Sequence, residues 1–367
     1  MVSKRAAALL LIGLTVTAVA IAGGTPEENS SSQNEAASSE SGGQSTVDQS
    51  GNQGDAQDAF PVTIEHKFGA TEITSKPERV VTIGYSEQDP VLALGVEPVA
   101  VRYWFGDYDH SVWPWAQDEL GDAEPTVFRM AYGELDFEKI AAQEPDLLIG
   151  THSGITEEEY ETLSQIAPTL AQPGEYTNFG VPWQEQTRLI GRALGRSERA
   201  AELVAEVESQ IERVSEEHPK FDGASVAMAS PAQGEGQFWT FSPSTPPMRF
   251  LESLGFEVPS KIAELVGERD AAKISAEQVE MLDVDVLVWQ VASEDARASI
   301  EENDLYRQLD VAEEGRAVFF VGRDDPIYGA LSFSTVLSLP FALENLTPML
   351  EAAVDGDPNT EVSAELQ

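Results

Sequence analysis

The 367-residue chain contains no cysteine, so disulfides, thiol catalysis and zinc–thiolate sites are excluded. Histidine is scarce as well: the four histidines, at positions 66, 110, 152 and 218, are never three or four residues apart. Two histidines at such a spacing on one helix face are a common source of metal ligands. The sequence therefore lacks a local histidine motif for metal binding.

Basic residues are strongly outnumbered. The chain has 22 lysines and arginines against 64 acids, which gives a net charge of −42. A nucleic acid or an anionic membrane held by a general basic surface is therefore not an expected partner. Such a balance suits a solvent-facing protein at high ionic strength, where salt screens the self-repulsion.

Short motifs of common enzymes are also missing. The sequence contains no GxSxG, HExxH or GxxxxGK[ST] pattern. Serine, histidine and aspartate are too scattered to suggest a triad, and acids are so numerous that no glycosidase pair stands out. A secreted hydrolase is kept as the alternative class, but the prediction is a protein that is not an enzyme.

The first 22 residues have the pattern of a secretory signal peptide. Lys4 and Arg5 precede the apolar run AAALLLIGLTVTAVAIA, and Ala20 and Ala22 supply small residues for a cleavage site. A membrane-spanning anchor is the alternative, but the run is at the short limit for a hydrocarbon core of about 30 Å. We therefore predict a signal peptide over residues 1–22 and export to the cell surface or envelope.

A tether is predicted to follow the signal peptide. The stretch IAGG resembles a bacterial lipoprotein box, in which a cysteine would stand at Gly24. Either the protein is released after Ala22 or an anchoring cysteine has been replaced, which puts a lipid anchor in doubt. Residues 23–59 are acidic, rich in serine and glycine and almost free of large apolar side chains, which predicts disorder.

From Phe60 the composition becomes globular, and short buried strands alternate with helical stretches. This alternation predicts α/β lobes with parallel sheets. The longest helical pattern carries Leu203, Val207, Ile211 and Val214 on one face, too few heptads for a coiled coil. The predicted fold is therefore two Rossmann-like lobes joined by one long rigid helix, with a ligand cleft between them. The predicted boundaries are residues 60–181 for the N-terminal lobe, 182–218 for the connecting helix, 219–354 for the C-terminal lobe and 355–367 for a disordered tail.

One segment occurs twice. LDFEKIAAQEPDLLIG (135–150) and ISAEQVEMLDVDVLVW (274–289) align without a gap, and each reads as a helix followed by a strand. Glu138 and Glu277 both fall at the second helical position, where the helix dipole alone favours an acid. As a pair on two similar lobes, they would also present two carboxylates related by an approximate two-fold axis. A partner with a true two-fold axis could dock both.

The order of these segments resembles a known family. PERVVTIGYSEQDPVLALGVEPVAV (77–101), the two copies of the repeat and the long helical segment are similar to the helical-hinge substrate-binding proteins of ABC importers. Those importers take up ferric siderophores, haem or cobalamin, and the resemblance covers about residues 60–350. RYWFGDYDHSVWPWAQDELG and GVPWQEQTRLIGRALG are most similar to the iron-siderophore branch found in actinobacteria.

The resemblance implies a function and partners. It implies a monomeric receptor without a cofactor, which binds a ferric siderophore, or alternatively haem or cobalamin, and delivers it to an ABC permease dimer with its ATPase. In the family, a glutamate in each repeat engages an arginine of one permease subunit. This role carries over to Glu138 and Glu277.

Ligands of α/β sheets bind beyond the carboxyl ends of the strands, so the residues just after each predicted strand are the candidates for ligand binding. An arginine fork can bind the clustered oxygens of an iron chelate, and tryptophan and tyrosine can cover its organic shell. The candidates are Tyr85, Arg102, Tyr103, Trp104, Arg129, His152, Trp239, Arg249, Arg323 and Tyr328.

Two alternatives concern metal chemistry at these loops. His152 or Tyr328 could ligate iron directly if the chelator leaves positions open, although a lone loop histidine is more often solvated. A binder of free metal ions would need three or four converging His, Asp or Glu ligands, whereas the predicted cleft loops are rich in arginine and tryptophan. No resident metal is predicted.

Overall fold

The computed structural model describes residues 59–131, 133–232 and 236–362. The predicted signal peptide and nearly all of the predicted tether lie outside the described residues. The described chain starts with an antiparallel hairpin of β1 (Val62–His66) and β2 (Gly69–Ile73). Alternate residues of β1 and β2 are buried, as expected for a ribbon with one covered face.

The first sheet has five strands that are all parallel, in the order β5-β4-β3-β6-β7. Its strands are β3 (Val80–Thr82), β4 (Ala100–Arg102), β5 (Thr126–Phe128), β6 (Leu147–Gly150) and β7 (Thr169–Ala171). The central strand β3 and its neighbour β6 are buried throughout, as expected for a parallel sheet that is covered on both faces. We call the part of the chain built on this sheet the N-terminal lobe.

The second sheet has the same strand order, β10-β9-β8-β11-β12, but it is mixed. Its strands are β8 (Val226–Pro231), β9 (Phe238–Phe241), β10 (Ala271–Ile274), β11 (Val286–Val291) and β12 (Ala317–Val321). Strand β9 runs antiparallel to both of its neighbours, whereas β8, β11 and β12 are parallel. We call this half the C-terminal lobe. The α/β class with two lobes is as predicted, and the antiparallel β9 is a departure from the predicted parallel sheet.

Helices cover the sheets and connect the lobes. They are α1 (Gln88–Ala93), α2 (Gln117–Leu120), α3 (Phe137–Ala141), α4 (Glu157–Leu163), α5 (Trp183–Ala193), α6 (Ser197–Glu217), α7 (Pro246–Ser253), α8 (Ser260–Val266), α9 (Glu294–Glu301), α10 (Asp310–Glu313), α11 (Pro326–Phe333) and α12 (Ser338–Val354). The 3₁₀ helices within the described ranges are Asp109–Ser111, Pro114–Ala116, Ala276–Leu282 and Tyr306–Gln308. No described helix has the length and apolarity that crossing a bilayer requires.

The predicted single helix over residues 182–218 is wrong, because the structure divides it into α5 and α6. Gly195 adopts a left-handed conformation with a φ of +68°. The N–H of Gly195 donates to the carbonyl of Arg192, and the N–H of Arg196 donates to the carbonyl of Gly191. This pair of bonds is a Schellman C-cap, which ends α5 and turns the chain into α6.

The break also lets the two helices pack closely. A Cβ atom added to Gly191 would lie 2.4 Å from the Cβ of Ala200, which is the contact point of α5 with α6. A larger residue at 191 would therefore push the helices apart. Of the two helices, α6 has 21 residues and is about 30 Å long, so the rigid connection is shorter than predicted and bent at its start.

The repeated aspartates explain part of the internal repeat. Asp146, just before β6, accepts hydrogen bonds from the backbone N–H groups of Glu78 and Arg79, just before β3. Asp285, just before β11, accepts from the N–H and hydroxyl of Ser225, just before β8. Each carboxylate therefore ties together the starts of the central strand of its sheet and of one neighbouring strand, which is a structural role.

Candidate functional site

A cavity of about 380 Å³ lies between the two lobes. From the N-terminal lobe it is lined by residues that follow β3, β4, β6 and β7, and from the C-terminal lobe by residues of β8, β9, α7 and α11. The lining residues are Tyr85, Trp104, His152, Thr177, Phe179, Gly180, Met228, Phe241, Ser244, Thr245, Pro246, Pro247, Asp270, Tyr328 and Ser332. Six of these side chains carry an aromatic ring, and four are serine or threonine. Such a lining is typical of a small-molecule site.

A buried guanidinium group supports the cavity wall that the N-terminal lobe contributes. Arg102, the last residue of β4, is 1% exposed, and its Cζ lies 4.4 Å from the ring centroid of Tyr85. Its terminal nitrogens donate to the carbonyl oxygens of Ile83 (3.2 Å), Ala131 (3.1 Å) and Glu134 (3.0 Å). Arg102 therefore lies behind the cavity and supports the Tyr85 ring; it is not among the residues that line this cavity, and its contact with a ligand stays a prediction.

A buried carboxyl group fixes the loop that carries His152. Glu87 is 0% exposed, and its Oε1 accepts the backbone N–H of His152 at 2.5 Å while its Oε2 accepts that of Ser86. Burial raises the pKa of Glu87 to about 7, although these N–H donors act in the opposite direction. The N–H of Tyr85 donates to the carbonyl of His152, which ties the two cavity loops together.

The His152 ring is neutral at physiological pH. Its side chain lies 5.2 Å from the ring of Phe179 and 6.2 Å from that of Trp104, measured between centroids. Burial lowers the pKa of His152 to about 4, and the nearby charge of Arg249 lowers it further. His152 therefore presents an uncharged, partly aromatic surface to the cavity.

Of the ten predicted ligand residues, the structure brings Tyr85, Trp104, His152 and Tyr328 to the cavity. The other arginines are held elsewhere. Arg129 stacks on the ring of Tyr103 at 4.2 Å, and Arg323 lies 5.3 Å from the ring of Phe105. Arg249 donates to the carbonyls of Gly180 (2.8 Å) and Val181 (3.4 Å), which ties α7 to the N-terminal lobe.

Trp239 lies on the same face of the second sheet as Phe241 but outside the cavity. It is 37% exposed, and the ammonium of Lys273 lies 5.5 Å from its ring. Because β9 is antiparallel, its carboxyl end at Phe241 points the opposite way from the carboxyl end of β8. The part of this region that reaches the cavity is therefore Phe241 and the segment that leads into α7.

The sequence prediction missed this segment and the Thr177–Gly180 loop. Both contained a usable signal, since FSPSTPP and TNFG are rich in turn formers. Phe179 has a φ of +63°, a conformation uncommon for a bulky residue, and it places its ring beside Tyr85 and His152. Nothing in the sequence indicates that direction.

Glu138 and Glu277 lie on the surface, each at the second position of its short helix. The helix of Glu138 is capped by Asp136, which accepts the N–H of Lys139 at 3.0 Å. The 3₁₀ helix of Glu277 is capped by Ser275, whose backbone N–H and hydroxyl donate to Oε1 of Gln278. The two exposed carboxylates therefore occupy equivalent places in the two lobes.

Asp89 links the lobes on the far side of the aromatic wall. Its Oδ2 accepts hydrogen bonds from the indole of Trp115 at 2.8 Å and from the hydroxyl of Thr335 at 2.5 Å, between α11 and α12. Asp89 is 0% exposed. Burial raises its pKa to about 7, against the two hydrogen bonds that lower it.

Asp89→Asn is expected to flatten the pH dependence of stability. Since the folded pKa of Asp89 lies above the unfolded one, its contribution to the free energy of unfolding is fully present below about pH 4 and decreases as the pH rises to about 7. Asparagine cannot ionise, so the difference in unfolding free energy between pH 5 and pH 7.5 should shrink by about 2 kcal/mol. Urea titrations at both pH values measure it. The exposed Asp118→Asn removes the same charge and serves as the control; an Asp89→Asn variant with the wild-type pH dependence would contradict the expectation.

Metal coordination by the protein alone has no visible basis in the described ranges, where no group of three or more His, Asp or Glu side chains is placed to hold an ion. His152 and Tyr328 both line the cavity. Direct ligation of iron by either one stays a prediction.

Comparison with known proteins identifies a family and several relatives with this architecture. The periplasmic binding protein family matches residues 80–320. A probable siderophore-binding lipoprotein of Bacillus subtilis, YfiY, is 27% identical over 269 residues, which is 70% of this chain and 78% of YfiY.

Two solved structures share the fold at the level of the whole body. A periplasmic solute-binding protein of Mycobacterium smegmatis has 33% identity and a TM-score of 0.71, with 80% of this chain and 99% of that chain covered. PiaA of Streptococcus pneumoniae, solved in complex with ferrichrome, has 27% identity and a TM-score of 0.70 over 80% of this chain and 99% of PiaA. With two α/β lobes, an aromatic cavity between them and a match over both sheets, this chain belongs to the periplasmic binding protein family.

Proposed function

We propose that this chain is an exported, non-enzymatic receptor that captures a ferric siderophore between its lobes and delivers it to an ABC permease dimer with its ATPase. The observation that carries the proposal is the cavity itself, whose aromatic rings come from both lobes. Rings on opposite walls suit the flat organic shell of a metal chelate. The named relatives support the same class of ligand, since YfiY is described as siderophore-binding and PiaA was solved with ferrichrome.

Binding of a ferric siderophore should quench the intrinsic tryptophan fluorescence, because Trp104 lines the cavity and ferric complexes absorb in the emission range. A panel of iron-loaded siderophores, haem and cobalamin, each titrated against this signal, tests the proposal. Saturable binding of a ferric siderophore is the expected result. If only haem or cobalamin binds, the proposed ligand class is wrong. If the protein hydrolyses a substrate and binds no chelate, the proposed receptor function is wrong.

Trp104→Ala is expected to weaken binding of that siderophore about tenfold, which is about 1.4 kcal/mol. The Trp104 ring contacts Tyr85, Phe105 and Phe333 at centroid distances between 4.8 and 5.6 Å and forms part of the wall. Isothermal calorimetry measures the affinity without depending on the lost fluorophore. Trp239→Ala, outside the cavity, is the control. An equal loss in both variants would show that the ligand does not sit in this cavity.

The permease is proposed to dock at Glu138 and Glu277, because these residues occupy equivalent surface positions in the two lobes. Each carboxylate is solvent-exposed and held at the start of a capped helix. An exposed charge of this kind can pair with a cation of a partner with little desolvation before contact. This assignment also follows from the family resemblance of the repeats.

A further inference from the structure

The cavity wall carries little charge, and none of it is basic. Within the described part of the chain, no lysine or arginine lines the cavity, and Asp270 is the one acid among the lining residues. His152 is neutral because burial and Arg249 lower its pKa to about 4. The rest of the wall is aromatic, aliphatic or hydroxylic. A strongly anionic ligand would therefore find no cation in direct contact.

Two guanidinium groups, those of Arg102 and Arg249, lie behind the wall, and neither lines the cavity. Arg249 is close enough to influence the His152 ring, but its guanidinium donates to the carbonyls of Gly180 and Val181. Asp270 is exposed at the rim and offers one negative charge. In the described part of the chain, both guanidinium groups are held by backbone carbonyls behind the wall and the rim carries one acid, so no cation offers a ligand direct contact, within a chain of net charge −42.

We propose, on the basis of the function proposed above, that the cavity selects a ferric complex without net negative charge, namely a trihydroxamate. Three hydroxamates, each with one negative charge, neutralise ferric iron completely. Three catecholates, each with two, leave the complex a multiple anion, and ferric citrate complexes are also anionic. Moving such an anion into this wall costs its hydration without a paired cation in return, and the acidic body repels it during approach.

The rim acid extends the same argument to ligands with a cationic arm. Asp270 precedes β10 and lies beside Phe241 in the sheet, since Ala271 pairs with Phe241. A linear trihydroxamate that ends in a free ammonium group could place that group near the Asp270 carboxylate while its iron centre lies against the rings. A cyclic trihydroxamate of the same chemistry has no such group, so the two form a matched pair of probes.

The first test compares ferrichrome, ferric enterobactin and ferric dicitrate, which represent a neutral trihydroxamate, an anionic tris-catecholate and an anionic carboxylate complex. Calorimetric titration of the purified full chain should show ferrichrome binding at least about tenfold more tightly than either anion. If either anion binds as tightly as ferrichrome, the charge selection is overturned while the proposed function stands. If no ferric complex binds, the proposed function itself fails.

The second test uses ferrioxamine B, which has the free ammonium group, and ferrioxamine E, which is cyclic and neutral. The wild-type protein should prefer ferrioxamine B by about threefold to fivefold, as an exposed charge pair allows. Asp270→Asn should remove this preference and leave the affinity for ferrioxamine E unchanged. The control is Asp304→Asn, an exposed acid of the same lobe outside the cavity. A preference that persists in Asp270→Asn overturns the role of this rim acid.

Discussion

Replacing Glu138 and Glu277 together with alanine is expected to abolish cellular uptake of the ferric complex and to leave its binding to the purified protein unchanged. Both side chains are exposed and neither lines the cavity between the lobes. Their removal therefore deletes no side chain that lines the ligand cavity. It removes the two charges with which the receptor would dock on a two-fold symmetric permease, and truncation of one partner of a docked charge pair costs about 2–5 kcal/mol.

The size of the effect should depend on both sites. Each single variant should retain part of the uptake, because one docked lobe still holds the receptor near the permease, whereas the double variant should lose at least about a hundredfold. Uptake of a radiolabelled ferric siderophore into cells that express each variant measures this, and calorimetry on the purified variants measures binding.

A matched control is available in the same protein. Glu158 and Asp295 are also exposed acids at the second position of a helix, α4 in the N-terminal lobe and α9 in the C-terminal lobe. The double variant Glu158→Ala with Asp295→Ala changes the net charge equally and should transport normally. If the control pair loses uptake to the same extent, or if the Glu138 and Glu277 variant loses ligand affinity, the docking assignment is wrong.

Much of the fold could be predicted because its signals are local. The hairpin at β1 and β2, the cap of Asp136 and the pair of Ser275 and Gln278 are each set by residues that are close together in the sequence. The repeat itself identified helix-then-strand units at equivalent places in both sheets. Strand direction is different: β9 has the same buried alternation whether it runs parallel or antiparallel, so the sequence pattern did not reveal its reversal.

The arginines show why the site was harder to predict. The sequence pattern predicted that Arg102 follows a strand, and a guanidinium at such a position can face either a ligand or the protein interior. Three backbone carbonyls in two loops converge on it and leave it behind Tyr85, and such convergence depends on tertiary structure. Gly195 is the contrasting case, because its helix break had a local signal. The glycine in ALGRS is a typical C-cap residue, but the long apolar stripe was given more weight, and one continuous helix was predicted.

Trp113→Ala is expected to lower the free energy of unfolding by about 3–5 kcal/mol and to loosen the two lobes against each other. Trp113 is 1% exposed although it belongs to the segment between β4 and β5. Its ring stacks on Trp115 at 5.0 Å and meets Phe333 of α11 at 5.8 Å. A Cβ added to Gly329 of α11 would lie 2.4 Å from this ring, so the indole lies directly against the helix backbone. The N-terminal lobe is therefore anchored in the C-terminal lobe by this indole as well as by α5 and α6.

Trp289→Ala separates the loss of core volume from the loss of lobe contact. Trp289 is 0% exposed in the core of the C-terminal lobe, where its indole donates to the hydroxyl of Tyr306. Both variants should lose stability in urea titrations, with Trp113→Phe as a milder version of the first. Only the Trp113 variants should increase the radius of gyration of the folded protein in small-angle X-ray scattering and weaken ligand binding, because only they widen the cleft. Equal changes in both variants, or a cost below about 1 kcal/mol for Trp113→Ala, would contradict this, and the relative position of the lobes would then depend on the helices alone.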